Sequence, residues 1–511
     1  MTPLRRLTLA VSVGVLSGAG GIGVTLVLHG TQHLLFGYGS GTFLEGIESA
    51  PAWRRVAGAC AGGLVVGLGW AWVRRSGRPA TVSDALHRAV PLPIVRTGVD
   101  ALLQAVAVGG GASVGREGAP RQVGGAAGAQ LADRLGVPPI DRRVLIAAGA
   151  GGGLAAVYNV PVAGVIFAAL TLAAVARTSP PQAPSPDESP DTPSANAPSP
   201  NTAPPDTASP DAPSPNAAPP KTPSPDTPSP NHPPPADAVD PPAPATRRTR
   251  WCARARAAAP ALRPDDWVVL IVTTTVATVT AWTVLGWGRV YAVPTGPVDL
   301  GSVTALAMWA LVAGPMAASA AIALDAVARR AIARQPTGWV RLPLASTAAM
   351  GLVGLAAVWW PTLPGNGKGI IELTLSPLAG MRDGVLLTGA ALAGWPAAGM
   401  FALLVVLKIA LTGTCLRAGI VGGLLTPALA VGAALGAAVA VGASTIGAPA
   451  SVPAWALVGA AGVLAVSHRS ALFALAMVWE LTGMPWTVAL AAAAAGALAR
   501  ATAQAVGRWF A

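Results

Sequence analysis

Charged side chains are scarce in this sequence: 11% of its 511 residues are Asp, Glu, Lys or Arg, against about 25% in an ordinary soluble domain. That deficit, with 52% hydrophobic residues and a mean hydropathy of +0.55, excludes a soluble enzyme or a transcription factor. Cysteine is nearly absent. Cys60, Cys252 and Cys415 are too few and too far apart for a secreted disulfide scaffold or a thiolate metal cluster. Five scattered histidines add no metal site. Lysine is rare too, three residues against 31 arginines. The formal net charge of +12 would suggest nucleic acid in a soluble chain, but the apolar excess overrides it. The composition is that of a polytopic membrane protein.

Residues 180–244 are the opposite case, with almost no large apolar side chains and 25 of the 49 prolines. Such a Ser-Pro-Asp patchwork cannot offset its ordering entropy by burial. It is expected to be a disordered, partly polyproline II loop. The rest of the chain is strongly basic, with clusters at Arg5-Arg6, Arg74-Arg75, Arg142-Arg143, Arg247–Arg256 and Arg329-Arg330. Arginine beside apolar runs marks the cytoplasmic side, so the N-terminus and the Pro-rich loop are expected there, in a multi-pass cell-membrane protein. The first run, 7–28, is followed by many others and is expected to be a retained helix, not a cleaved signal peptide.

Helix-length apolar runs lie near 53–73, 97–114, 118–132, 144–176, 266–286, 302–328, 343–360, 384–413, 419–443, 454–466, 470–483 and 486–507. Several are shorter than the ~20 residues that span a bilayer, and others are broken by Gly and Pro. Broken helices at membrane depth are tolerated where protein buries them or water lines them. The expected fold is all-α, built of broken and tilted helices around a permeation path.

The chain also repeats itself. The stretch from Gly115 to Ala129 overlays that from Gly423 to Ala437 at an offset of 308, sharing the first glycine and most of a V-G-x-A-x-G-A tail. Gly149–Ala155 overlays Gly459–Ala465 at an offset of 310. Two matches at nearly one offset point to an internal duplication. The expected organisation is a first membrane repeat over 1–176, the Pro-rich loop and its basic end over 177–264, and a second repeat over 265–511. Transporters built from repeats place their site between broken helices of both halves. Each repeated glycine cluster opens a helix, whose unpaired N–H groups and dipole favour an anion. Carboxylates that could coordinate a cation are few: 14 lie outside the loop. The residues therefore point to a small anion.

Gly115-Arg116-Glu117-Gly118, with Gln122 and Gly124, resembles the GREGP signature of CLC chloride channels and transporters. Gly149 through Tyr158-Asn159 and Pro161 to Gly164 and Phe167 is similar to that family's next signature. Lys408 through Thr412 to Gly419-Ile420-Val421-Gly422-Gly423-Leu424-Leu425-Thr426-Pro427 is similar to its KxxxT…SGxxGGxFxP segment. Arg75-Ser76-Gly77-Arg78-Pro79 stands where the family has GSGIP, and Glu480-Leu481-Thr482 resembles a late element. The resemblance implies two inverted repeats and a homodimer in a lipid bilayer, each subunit with its own chloride path. It implies that Ser76 donates a hydroxyl to a central anion and that the N–H groups of Leu424 and Leu425 complete that site. Glu117 would be the gate, with the N–H groups of Arg116 and Gly118 flanking an outer site. Arg75, Gly77, Pro79, Gly115, Gly423 and Pro427 would shape these motifs. No cofactor, nucleotide, nucleic acid, metal or enzymatic activity is expected; chloride is cargo.

Departures from the pattern matter equally. Ala119 stands at the GREGP proline, with Pro120 after it; Ala418 replaces a serine, and Leu425 a phenylalanine. Thr171 occupies the position where the family's exchangers carry an inner proton-transfer glutamate. No tyrosine stands near the end of the last run, where the family has an anion-coordinating one, and no nucleotide-binding domains are expected. Chloride movement weakly or not coupled to protons is therefore expected. A chloride/proton antiporter is the alternative, followed by a fluoride exporter and a transport-dead scaffold. Lys408 reads as either a snorkelling or a pore lysine, and Glu480 as a partner for backbone donors. Gly365-Asn366-Gly367-Lys368-Gly369 lacks the rest of a phosphate loop.

Overall fold

The computed structural model describes residues 1–88, 90–178, 262–293, 300–375 and 394–509. The Pro-rich stretch and the two last residues lie outside them, as does the start of the apolar run at 384. Seventeen α-helices are described: α1 (Pro3–Phe36), α2 (Phe43–Ser49), α3 (Ala52–Val73), α4 (Val82–His87), α5 (Ile94–Gly109), α6 (Gly118–Arg134), α7 (Pro139–Tyr158), α8 (Pro161–Thr178), α9 (Pro264–Leu285), α10 (Leu300–Ile332), α11 (Arg341–Trp359), α12 (Lys368–Leu375), α13 (Trp395–Arg417), α14 (Leu425–Thr445), α15 (Val452–Ser467), α16 (Ala471–Thr482) and α17 (Trp486–Trp509). Eight helices are long and apolar enough to cross a membrane, among them α1, α3, α9, α10 and α14. α8, α15 and α16 are shorter. The fold is all-α and the protein is multi-pass.

Local chemistry sets the breaks. The apolar run 144–176 forms two helices, not one. α7 ends at Asn159, which takes the left-handed conformation (φ 56°) that asparagine tolerates better than most residues. Pro161, which cannot continue a helix from behind, then opens α8. α1 starts at Pro3, after Thr2 has accepted the Arg5 N–H, and ends at left-handed Gly37 (φ 77°).

Packing repeats with the sequence. In the first half α1, α7 and α9 pack on one another, and α6 packs on α7. In the second half α10, α15 and α17 pack on one another, and α14 packs on α15. The repeated glycines make equivalent crossings. A Cβ on Gly124 would collide with the carbonyl of Gly149, and one on Gly432 with that of Gly459. Gly128 and Gly436 meet the carbonyls of Leu145 and Trp455 in the same way. Small residues let these backbones approach closely, the usual device for helix association in lipid. α9, placed by sequence at the head of the second repeat, keeps the neighbours in the first half that α17 keeps in the second. By its packing it closes the first set.

Candidate functional site

The two repeats meet at their signature glycines. Gly115 N–H donates to Gly423 C=O at 2.7 Å, and Gly423 N–H returns the bond to Gly115 C=O at 3.0 Å. This antiparallel bridge is the sole strand-like pairing among the described residues. Just beyond it in each repeat a helix begins, α6 at Gly118 and α14 at Leu425. The bridge thus holds two helix N-termini beside each other.

Glu117 lies between them and is fully buried, at 0% exposure. One carboxylate oxygen accepts the Leu425 N–H at 2.6 Å. The other accepts the Thr426 hydroxyl at 3.4 Å. Burying an ionised carboxylate is costly without hydrogen bonds or opposite charge. Here the unpaired N–H groups and positive dipole end of α14 supply compensation. The carboxylate also rests against the α-carbons of Gly115 and Gly423, where any Cβ would collide with it. Glycine at both positions lets the carboxylate lie where it does. The site therefore holds a carboxyl group supplied by the protein itself.

Around this centre, the Arg116 guanidinium stacks 4.7 Å from the Tyr158 ring centroid. The Tyr158 hydroxyl is buried beside Arg116 and Thr426 with no hydrogen bond of good geometry. Lys408 is also fully buried. Its ammonium donates to the carbonyls of Gly365 (2.8 Å) and Leu363 (3.3 Å), so it braces the loop before α12 and does not snorkel. Glu480 accepts the N–H groups of Val162 (2.9 Å) and Ala163 (2.8 Å) and caps α8, the backbone role that its sequence suggested.

A cavity of about 580 Å³ adjoins the bridge. Gly118, Gln122, Gly422 and Gly423 line it, and Arg74, Arg78 and Arg121 make it basic. Thr171 lines it as the motif alignment implied, its hydroxyl donating back to Phe167 C=O at 2.8 Å. Pro79 lines it too. Ser76 does not. It sits exposed on the single 3-10 turn Arg74–Ser76, with Arg75 stacked on Trp72 and Gly77 at φ 95°. Arg96 donates to the carbonyls of Val73 and Gly77 on either side of that turn. Thr81 and Ser83 supply the cavity's hydroxyls on that side. Thus the structure joins Gly115, Arg116, Glu117 and Gly118 to Gly423, Leu424, Leu425 and Pro427, and leaves Ser76 outside.

Sequence reading missed Asp100 and Gln104, which also line the cavity. Asp100 is buried; it accepts the Trp70 indole N–H (2.8 Å) and the Gln104 amide (3.0 Å). The signal was present: a carboxylate inside an apolar run is a functional-site candidate by default.

The family model for the voltage gated chloride channel matches residues 57–178 and 258–504. The Voltage-gated ClC-type chloride channel ClcB of Salmonella typhi is 30% identical over 173 residues, 32% of this chain and 40% of the relative. That of Escherichia coli O9:H4 is also 30% identical over 173 residues, 33% of this chain and 41% of the relative. The match thus spans about two fifths of these relatives' length. Among solved structures, a slow cyanobacterial Cl⁻/H⁺ antiporter shares the fold at a TM-score of 0.65 and 18% identity, with 98% of this chain and 95% of that one covered. A CLC-type fluoride/proton antiporter follows at 0.57 and 16%, with 98% and 96% covered. With a buried glutamate between two bridged helix N-termini, and a family match across both halves, this chain belongs to the voltage-gated chloride channel family.

Proposed function

We propose that the protein moves chloride across the membrane past a gate formed by Glu117. One observation carries the reading: a fully buried side-chain carboxylate sits on the Leu425 N–H at the start of α14, where a chloride ion would find the same donor. An ionised Glu117 and a chloride compete for that place. Protonation removes the charge that holds the side chain there, so anion and proton act on one gate. In this reading the N–H groups of Leu424 and Leu425 serve the anion on one side, and those of Arg116 and Gly118 on the other.

The arginine-lined cavity is the waiting room. α1 crosses from the N-terminus and α3 returns after a short connection, so Arg74 and Arg78 lie on the side of Arg5 and Arg6. The arginine bias makes that side cytoplasmic. The expected homodimer belongs to this reading, as does chloride rather than fluoride as cargo. Thr171, which cannot carry a proton, and the missing tyrosine of the last run favour chloride movement weakly or not coupled to protons; Asp100 in the same cavity favours the chloride/proton antiporter.

The test is chloride efflux from liposomes holding the full chain. Efflux that depends on the protein supports the reading, and its absence in folded, dimeric protein overturns it.

A further inference from the structure

Asp100 has no counterpart among the residues that the motifs single out, yet it is a buried carboxylate on the wall of the cavity. Its bonds lead toward the gate. The Gln104 amide nitrogen donates both to Asp100 (3.0 Å) and to the Gln122 side-chain oxygen (2.9 Å). The Gln104 side-chain oxygen packs against Gly118, the neighbour of Glu117, where a Cβ would displace it. The same cavity reaches Gly423, whose α-carbon touches the Glu117 carboxylate. One water-sized space therefore runs from Asp100 to the backbone flanking Glu117.

We infer that Asp100 is the inner proton carrier of this protein, standing in from α5 for the carboxylate that α8 lacks at Thr171. The inference rests on Glu117 being the gate. Asp100 takes a proton from water on the arginine-rich side. It then passes the proton through cavity water to the Glu117 carboxylate: Asp100 becomes ionised, Glu117 neutral, and no other group changes. Gln104 and Gln122 orient the two ends of that water path and need not themselves be protonated.

The charges around Asp100 give this transfer its link to the anion. α3 and the turn after it present Trp70 and Arg74, and α6 presents Gln122 and Arg121; Arg78 lines the same cavity. α1, also packed on α5, carries no charged side chain between Arg6 and His29. Three arginines therefore attract either a chloride or an ionised Asp100, and chloride in the cavity repels the ionised form. Anion entry and proton uptake favour each other.

Liposomes holding the full chain, with a chloride gradient and no pH gradient, test this when chloride and proton movement are recorded together. The expected result is uphill proton movement driven by chloride in the natural protein. In Asp100→Asn the protons moved per chloride should fall at least about tenfold, whatever the chloride rate; Asp100→Glu should restore them. A purely structural role for Asp100 would scale both fluxes together and leave their ratio unchanged, overturning the inference. So would a natural protein that moves chloride without protons, a result that needs no variant to fold. Absence of chloride movement in the natural protein would instead strike the gate reading itself.

Discussion

Gly115 and Gly423, 308 positions apart and equivalent in the two repeats, hydrogen-bond to each other in both directions. A pair of equivalent residues that exchange the same bond lies on the axis relating the halves, and its antiparallel sense is what an inverted repeat requires. The exchange places the start of α14 beside Glu117. The position of the buried carboxylate is thus a consequence of the duplication, since neither half alone could supply both Glu117 and its Leu425 N–H donor.

Glu117→Gln should abolish the pH dependence of chloride flux. Glutamine keeps the shape of the protonated side chain but carries no charge for the Leu425 N–H and the α14 dipole to hold. Flux measured in liposomes across a range of pH should stay flat in the variant and vary in the natural protein. A variant whose profile matches the natural one would remove Glu117 from the gate.

Thr426→Ala tests how firmly the carboxylate is held. The Thr426 hydroxyl reaches Glu117 at 3.4 Å, a long bond to a charged group, so its loss should cost about 0.5–1 kcal/mol of the closed position. Chloride flux near neutral pH should rise about two- to fivefold. Unchanged or reduced flux in folded protein would show that the hydroxyl does not restrain the gate.

Much of this arrangement was readable in the sequence because it is local. The run lengths mark the helices, and the glycine spacing from 115 to 128 recurs from 423 to 436. Glu117 stands out as a carboxylate at a glycine-flanked helix start. What escaped depends on contacts between distant residues. Thr426 and Tyr158 look like ordinary helix residues until folding brings them beside Glu117. Asp100 and Gln104 are one helical turn apart, but only the approach of Gln122 and Gly118 turns the pair into a path. Ser76 shows the converse: its motif spacing fits, yet its side chain is exposed while Arg74, Arg78 and Pro79 around it line the cavity.

Gly432→Ala should damage folding, not transport chemistry. The new Cβ would strike the Gly459 carbonyl and the Ala460 α-carbon, backbone atoms that cannot rotate aside. Overpacking of this kind costs about 1–3 kcal/mol or more, and α14 carries the Leu425 donor at its start. Thermal unfolding in detergent should show a clear loss of stability. Gly23→Ala in α1, where a Cβ meets nothing within 4 Å, serves as the control and should fold normally. Equal stability of the two variants would mean that the glycine crossing does not set the packing.

Acid should loosen the cavity wall at α4 before it affects the helices around it. Thr81 and Asp84 cap this helix reciprocally: the Asp84 carboxylate accepts the Thr81 N–H at 3.0 Å and its hydroxyl at 2.7 Å, and the Thr81 hydroxyl accepts the Asp84 N–H at 3.1 Å. The bonds from Thr81 hold the Asp84 carboxyl below its ordinary value of 3.8. A carboxyl lowered by folding stabilises α4 fully above that ordinary value, and the contribution disappears as pH falls through the lowered one. Asp84 is partly exposed, so the effect is small and local, but Thr81, Val82 and Ser83 line the cavity. Hydrogen exchange of the Val82–His87 amides, corrected for the intrinsic pH dependence of exchange, should accelerate below about pH 4. Asp84→Asn, which cannot gain or lose this charge, should remove the acid step and leave α4 somewhat less protected at neutral pH. An acid step of the same size in Asp84→Asn would assign it to another group.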